Sequence, residues 1–161
     1  FLPSDILAAY LWAQLENWRK IQSRRRQIWE NYQDGLKIWS LEQEIQMPFV
    51  PKYVEQSYHL FYLICPSLEE RSRFIGHLKE HGIHAVFHYQ ALNTSPMGLR
   101  LGGLPGQCPI SEKLSNQLVR LPFFNSMTEA EQRRVIDVVV SFRFKTSNIV
   151  MNKGGREALS W

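Results

Sequence analysis

The chain has 161 residues and a formal net charge of +4, with an isoelectric point near 9.2, and a length of this order suits one domain that buries roughly two thirds of the surface its unfolded form exposes. Moderate basicity permits an anionic partner but is too weak a signal for nucleic acid. No apolar run approaches the ~20 residues of a membrane span, and the start lacks the charged region, apolar core and cleavage site of a signal peptide.

The two cysteines, Cys65 and Cys108, lie far apart and neither belongs to a C-x-x-C pair. They support neither a metal site nor a redox motif, and the plain expectation is a reduced, cytoplasmic setting. The first residue is Phe1, and by Ser4 the chain is already entering a helical pattern, which leads us to expect a piece of something longer.

From Ser4 to about Gly35, Leu7, Leu11, Trp18, Ile21, Ile28 and Tyr32 fall on one stripe at helical spacing. Ser4 can cap the first turn, Asp5 complements the dipole, and Gly35 supplies a stop. This spacing predicts one linking helix over 4–35, about 45 Å long, which needs a second body to lean on. The basic run Arg19, Lys20, Arg24, Arg25 and Arg26 reads as a solvated face. Tyr58 to Cys65 reads as a strand buried on both faces, with His59 a hydrogen-bonded core histidine.

Ser67 and Glu70 have capping-box spacing and Gly82 closes a helix of about four turns. Ile83 to Phe87 predicts a second strand. From His88 to Pro109 there is no period, and a loop of that length in a compact domain tends to be functional or disordered. Helix resumes over Ile110 to Gln117 with Pro109 in its first turn, Leu118 to Leu121 predicts a short strand, and Thr128 with Glu131 caps a last helix whose Val135, Val139 and Phe142 face inward. Residues 145–161 read as a weakly ordered tail. The order of elements predicts an α+β fold, a small sheet with helices largely on one face and room for another domain on the other.

The common catalytic signatures are missing: no G-x-S-x-G elbow, dinucleotide fingerprint or H-E-x-x-H occurs, and the glycine spacing from Gly98 to Gly103 lacks the Lys and Ser or Thr of a phosphate loop. His81 and His84 read as helix-end and strand-surface residues, with no ligand set for a metal. His88 and Tyr89, at the junction of a strand and a long loop, are placed to meet a ligand. From residues alone this leaves a domain with a candidate site, or a stand-alone α+β interaction module holding an anionic partner.

Four stretches in order, LPSDILAAYLWAQLE, HLFYLI, HLKEHGIHAVFHYQALNTSP and ISEKLSNQLVRLPFFNSMTEAEQRRVIDVV, resemble the C-terminal third of the DegT/StrS-type sugar aminotransferases. The resemblance covers about residues 1–144 and implies the small C-terminal domain of a fold type I aminotransferase, with a small mainly antiparallel sheet. It further implies pyridoxal phosphate as cofactor, a homodimer with a large cofactor-binding domain in the same chain, and amino transfer, with glutamate as donor, to a TDP-linked 4-keto-6-deoxy sugar. The Schiff-base lysine and cofactor contacts would lie outside this chain, so the chain alone should be inactive and hold no cofactor-binding residue. Family members show a His-Tyr pair, then a Pro-Leu-His triplet, in a loop over the sugar. Here His88, Tyr89 and Leu92 match, while Gln90, Ala91 and Asn93 stand where a variable residue, proline and histidine are usual. The resemblance thus assigns Tyr89 a supporting catalytic role and His88, Tyr89 and Asn93 to the substrate. Asn93 can hydrogen-bond but cannot shuttle a proton near neutral pH.

Overall fold

The computed structural model describes residues 2–145; the expectation for the tail beyond Lys145 lies outside the described residues. Among these are six α-helices and a three-stranded antiparallel sheet. Strands β1 (Tyr62–Ile64) and β2 (Val86–Phe87) flank β3 (Leu118–Arg120), with Tyr62 and Val86 opposite Arg120 and Leu63 and Phe87 opposite Val119. Because both flanking strands run against β3, they are parallel to each other. Their connection passes through helix α3 (Leu68–Glu80), so the last strand is inserted into a split β-α-β unit. The α+β expectation is met.

The sheet has one core face and one open face. Leu63 and Val119 are fully buried against residues of α2 (Trp18–Glu42), α3 and α6 (Glu129–Ser141), whereas Tyr62, Ile64, Leu118 and Arg120 alternate with them and stay half-buried. This alternation corrects the expectation of a strand buried on both faces. The long run from Tyr58 is also shorter as a strand, because Tyr58 takes φ +46°, which an extended ladder cannot accommodate. His59 is exposed, its Nδ1 3.0 Å from Ser57 Oγ, and is not a core residue.

The single helix over 4–35 is corrected in its middle and at its C-terminal end. Helix α1 (Asp5–Glu16) is capped by Ser4 as expected, but Asn17 (φ −102°, ψ 6°) breaks the run, and its Nδ2 donates to Ala13 O at 3.0 Å. A short amide competing locally for backbone partners is the physical reason. Gly35 stops nothing, since α2 continues to Glu42. A Cβ at Gly35 would lie 2.9 Å from Ile136 Cδ1, so this glycine serves the close approach of α2 and α6.

Packing on α2 is aromatic. Trp39 and Phe74 stack with centroids 6.2 Å apart, Phe142 and Phe144 close around Phe74, and Trp39 Nε1 donates to Phe142 O at 3.0 Å. Tyr32 is fully buried and donates to Pro122 O at 2.8 Å. Buried Gln132 Nε2 donates to Ile28 O at 2.6 Å, satisfying an amide that would otherwise be costly to bury. The basic run is only partly a solvated face: Arg24 donates to Met127 O and Arg25 to Asn125 Oδ1, tying α2 to the turn before α6.

Helix α3 carries half a capping box. Ser67 Oγ accepts from Glu70 N at 3.2 Å, but the Glu70 carboxylate turns to Arg73 at 2.6 Å and Lys145 N at 3.0 Å. Gly82, at φ +71°, ends the helix through the left-handed conformation that suits glycine. Helix α6 has the full box, Thr128 with Glu131, and buries Val135 and Val139 with Phe142 just beyond it, as expected.

Helix α1 stands apart, with no buried residue although Ile6, Leu7, Tyr10, Leu11, Trp12 and Leu15 cover it all round. A helix apolar on every side is one that belongs inside something. Among the described residues no helix is long and apolar enough to cross a membrane, and no group of His, Cys, Asp or Glu could hold a metal ion.

Candidate functional site

Strand β2 ends at Phe87 and delivers His88 and Tyr89 to the rim of an open groove of about 390 Å³. Its other walls come from Ala91 to Asn93 and from α5 (Pro109–Gln117) through Ser111, Leu114 and Ser115. Tyr89 adopts φ +56°. For a bulky side chain the left-handed region costs roughly 1–2 kcal/mol, so surrounding bonds must impose it. Ser115 does this from α5: its Oγ donates to Tyr89 O at 2.8 Å and accepts from Ala91 N at 3.2 Å, clamping the backbone on both sides of Gln90. The clamp leaves the Tyr89 side chain 71% exposed, a strained and unburied aromatic. Strain of this kind collects at binding sites.

His88 is half-buried, with its ring 4.2 Å from that of Tyr89. Arg120 reaches from β3 and donates from Nη1 to His88 Nδ1 at 3.2 Å. Partial burial first, then the charges of Arg120 and His59, hold the imidazole pKa below its ordinary value. All three influences favour the neutral ring over the imidazolium.

The segment after Tyr89 is more ordered than an aperiodic loop. A single tight turn over Leu92–Thr94 precedes α4 (Pro96–Arg100), which Ser95 Oγ caps by accepting from Gly98 N at 3.0 Å. A Cβ on Gly98 would sit 1.9 Å from Leu92 O, and one on Gly103 2.5 Å from Asn93 O. Both glycines exist for close backbone approach, which explains a spacing that only superficially suggested a phosphate loop. Asn93 lines the groove, and its Nδ2 donates to Leu104 O at 2.9 Å and Glu112 Oε1 at 2.6 Å. Its two amide hydrogens are thus engaged within the chain.

Glu112 was not singled out from the sequence. Its carboxylate also accepts from Gly106 N at 2.9 Å and Cys108 N at 3.2 Å, and the Gly106 N–H first, then the Asn93 amide and Cys108 N–H, lower its pKa from the usual carboxylate value. An acid in the first turn of α5, just past Pro105 and Gly106, was the available signal. His81 caps the end of α3 as expected, whereas His84 is exposed ahead of β2 and not on its surface, because the strand expected from Ile83 begins only at Val86.

The DegT/DnrJ/EryC1/StrS aminotransferase family model matches residues 4–140. The chain belongs to this family. It is 31% identical over 93 residues to a pleiotropic regulatory protein of Geobacillus stearothermophilus, covering 57% of this chain and 25% of that relative. Among solved structures it is similar to Spr1654 of Streptococcus pneumoniae, described as a sugar aminotransferase, with 25% identity and a TM-score of 0.77 over 84% of this chain and 34% of the other. It is also similar to DesV of S. venezuelae, with 27% identity and a TM-score of 0.74 over 83% of this chain and 34% of that one. The chain thus spans a quarter to a third of the length of these relatives.

The cofactor of the family is pyridoxal phosphate, and the Streptococcus pneumoniae protein has been solved in its PLP and PMP forms. The groove at Tyr89 does not fit that group by itself. Its lining holds no lysine to bond the cofactor aldehyde and no aspartate or glutamate to face a pyridine nitrogen. What the described residues offer is a rim.

Proposed function

We propose that this chain is the small C-terminal domain and linking helix of a pyridoxal-phosphate-dependent sugar aminotransferase. The cofactor would be held by a large domain in the same polypeptide, in a homodimer working in the cytoplasm. The observation that carries this reading is Tyr89, a tyrosine forced into left-handed backbone by Ser115 and left exposed at a groove beside the His88 ring. Family membership over residues 4–140 supports reading the site in terms of aminotransferase chemistry. The all-round apolar α1 supports the large domain as its cover.

Within this reading the substrate is a TDP-linked 4-keto-6-deoxy sugar and the donor is glutamate. The opening Leu2 to Leu15 resembles the transaminase branch of enterobacterial common antigen synthesis. Tyr89 hydrogen-bonds the sugar near the reacting carbon and can hold a proton there, while His88 orients the lip and lines the pocket. Asn93 contributes from the groove wall by keeping the lip in place through Leu104 and Glu112. No lysine of this chain is assigned to the amine chemistry.

The test uses two proteins. The full-length polypeptide should transfer an amino group from glutamate to the TDP-linked keto sugar, whereas the chain of residues 1–161 purified alone should show neither cofactor absorbance nor amino transfer. Absorbance or turnover from the isolated chain would overturn the placement of the lysine outside it.

A further inference from the structure

Arg120 stands in register with Tyr62 and Val86, on the sheet face opposite fully buried Val119 and Leu63. From this open face Arg120 makes a directed contact to the rim, donating from Nη1 to His88 Nδ1 at 3.2 Å. A guanidinium has donors only and is charged at every pH a protein survives. Its bond to Nδ1 therefore demands a lone pair there, and a neutral imidazole with a lone pair on Nδ1 carries its single proton on Nε2.

We propose that Arg120 is a positioning residue of the groove: by holding Nδ1 it fixes His88 as the neutral Nε2–H tautomer, which makes His88 a hydrogen-bond donor toward the substrate and removes it as a base. Three groups face the imidazole: Arg120 from β3, His59 from the segment before β1, and the ring of Tyr89 stacked at 4.2 Å. None of these three is a carboxylate, so nothing among them favours the imidazolium. The ligand that suits this arrangement presents a lone-pair oxygen, a carbonyl, hydroxyl or phosphate, to Nε2. Proton transfer at the rim then falls to Tyr89. The substrate-facing part of this assignment rests on reading the groove as the sugar site; the tautomer does not.

The tautomer is read directly in the unmutated full-length protein by selective ¹⁵N-histidine labelling. The expected result is an unprotonated Nδ1 and a protonated Nε2 at His88, and the opposite tautomer would overturn the proposal even if the protein proves to be a sugar aminotransferase. Histidine C2-hydrogen exchange, followed by mass spectrometry against pH, supplies the second readout. The His88 midpoint should move upward in Arg120→Met, while Arg120→Lys keeps it low. Circular dichroism of the unmutated protein and the two variants reports the intact fold. A His88 midpoint unchanged in Arg120→Met would remove Arg120 from the role. If Arg120→Met does not fold, the ¹⁵N result on the unmutated protein decides alone. Absence of amino transfer with the expected tautomer would count against the enzyme reading only.

Discussion

Asn93 Nδ2 lies 2.6 Å from Glu112 Oε1, joining the start of the groove segment to the first turn of α5. Gly106 N and Cys108 N complete the clasp on the same carboxylate. The whole stretch between Asn93 and Cys108 is thereby closed into a loop whose base is one ionised side chain.

The clasp predicts an acid-sensitive loop. The Gly106 N–H first, then the Asn93 amide, lower the folded pKa of Glu112, so its contribution is present above the ordinary carboxylate pKa and is lost as pH falls through the lower folded value. Amide protection at Gly106 and Cys108 should drop over that acidic window in the wild type. In Glu112→Gln it should be low and nearly independent of pH across the same window. Hydrogen exchange resolved to these peptides checks both statements.

Two glycines should respond in opposite ways to alanine. At Gly98 the new methyl meets Leu92 O at 1.9 Å, a backbone atom that cannot step aside, so Gly98→Ala should destabilise by roughly 1–3 kcal/mol. At Gly76, inside α3, a Cβ meets nothing within 4 Å, and Gly76→Ala should stabilise by about 0.5–1 kcal/mol. Denaturant midpoints of the two variants, measured side by side, give the comparison.

The core makes a graded prediction. Phe74→Ala removes the ring enclosed by Trp39, Phe142 and Phe144 and should cost about 3–5 kcal/mol. Tyr32→Phe keeps the ring but takes the hydroxyl donor from Pro122 O, for about 1–3 kcal/mol. Thermal unfolding should rank them in that order.

Much of the architecture was readable locally. Ser4, Ser67 and Thr128 cap the helices they were expected to cap, Pro109 opens α5, and the β3 residues were recognised from a few apolar side chains, because caps and short strands depend on neighbours within a few positions. The misread features depend on distant partners. Gly35 looks like a helix stop in sequence, and only Ile136, about a hundred residues later, reveals it as a packing position. Asn93 could be aligned with a family histidine, yet its engagement by Leu104 and Glu112 follows from the folded path of the loop. His88 and Tyr89 were visible as a pair at a strand end. The strain at Tyr89 and the arginine behind His88 were not, since Ser115 and Arg120 reach them across 26 and 32 positions.

The backbone of Tyr89 offers a way to separate stability from function. Tyr89→Gly relieves a left-handed residue, a gain of roughly 1–2 kcal/mol, about half of which the freer unfolded chain offsets through a cost of about 0.5–1 kcal/mol. The variant should therefore unfold at or slightly above the wild-type midpoint while losing the exposed ring that the proposed site uses. A marked loss of stability would show that the ring supports the fold.

The most direct measurement compares Tyr89→Phe with wild type in the full-length protein, following amino transfer to the TDP-linked keto sugar and the cofactor absorbance together. The ring and the backbone are kept and only the phenolic O–H is lost, so the account predicts unchanged absorbance with a fall in transfer rate of about tenfold or more. Transfer at the wild-type rate would contradict it, because the exposed hydroxyl of this chain would then have no part in the reaction.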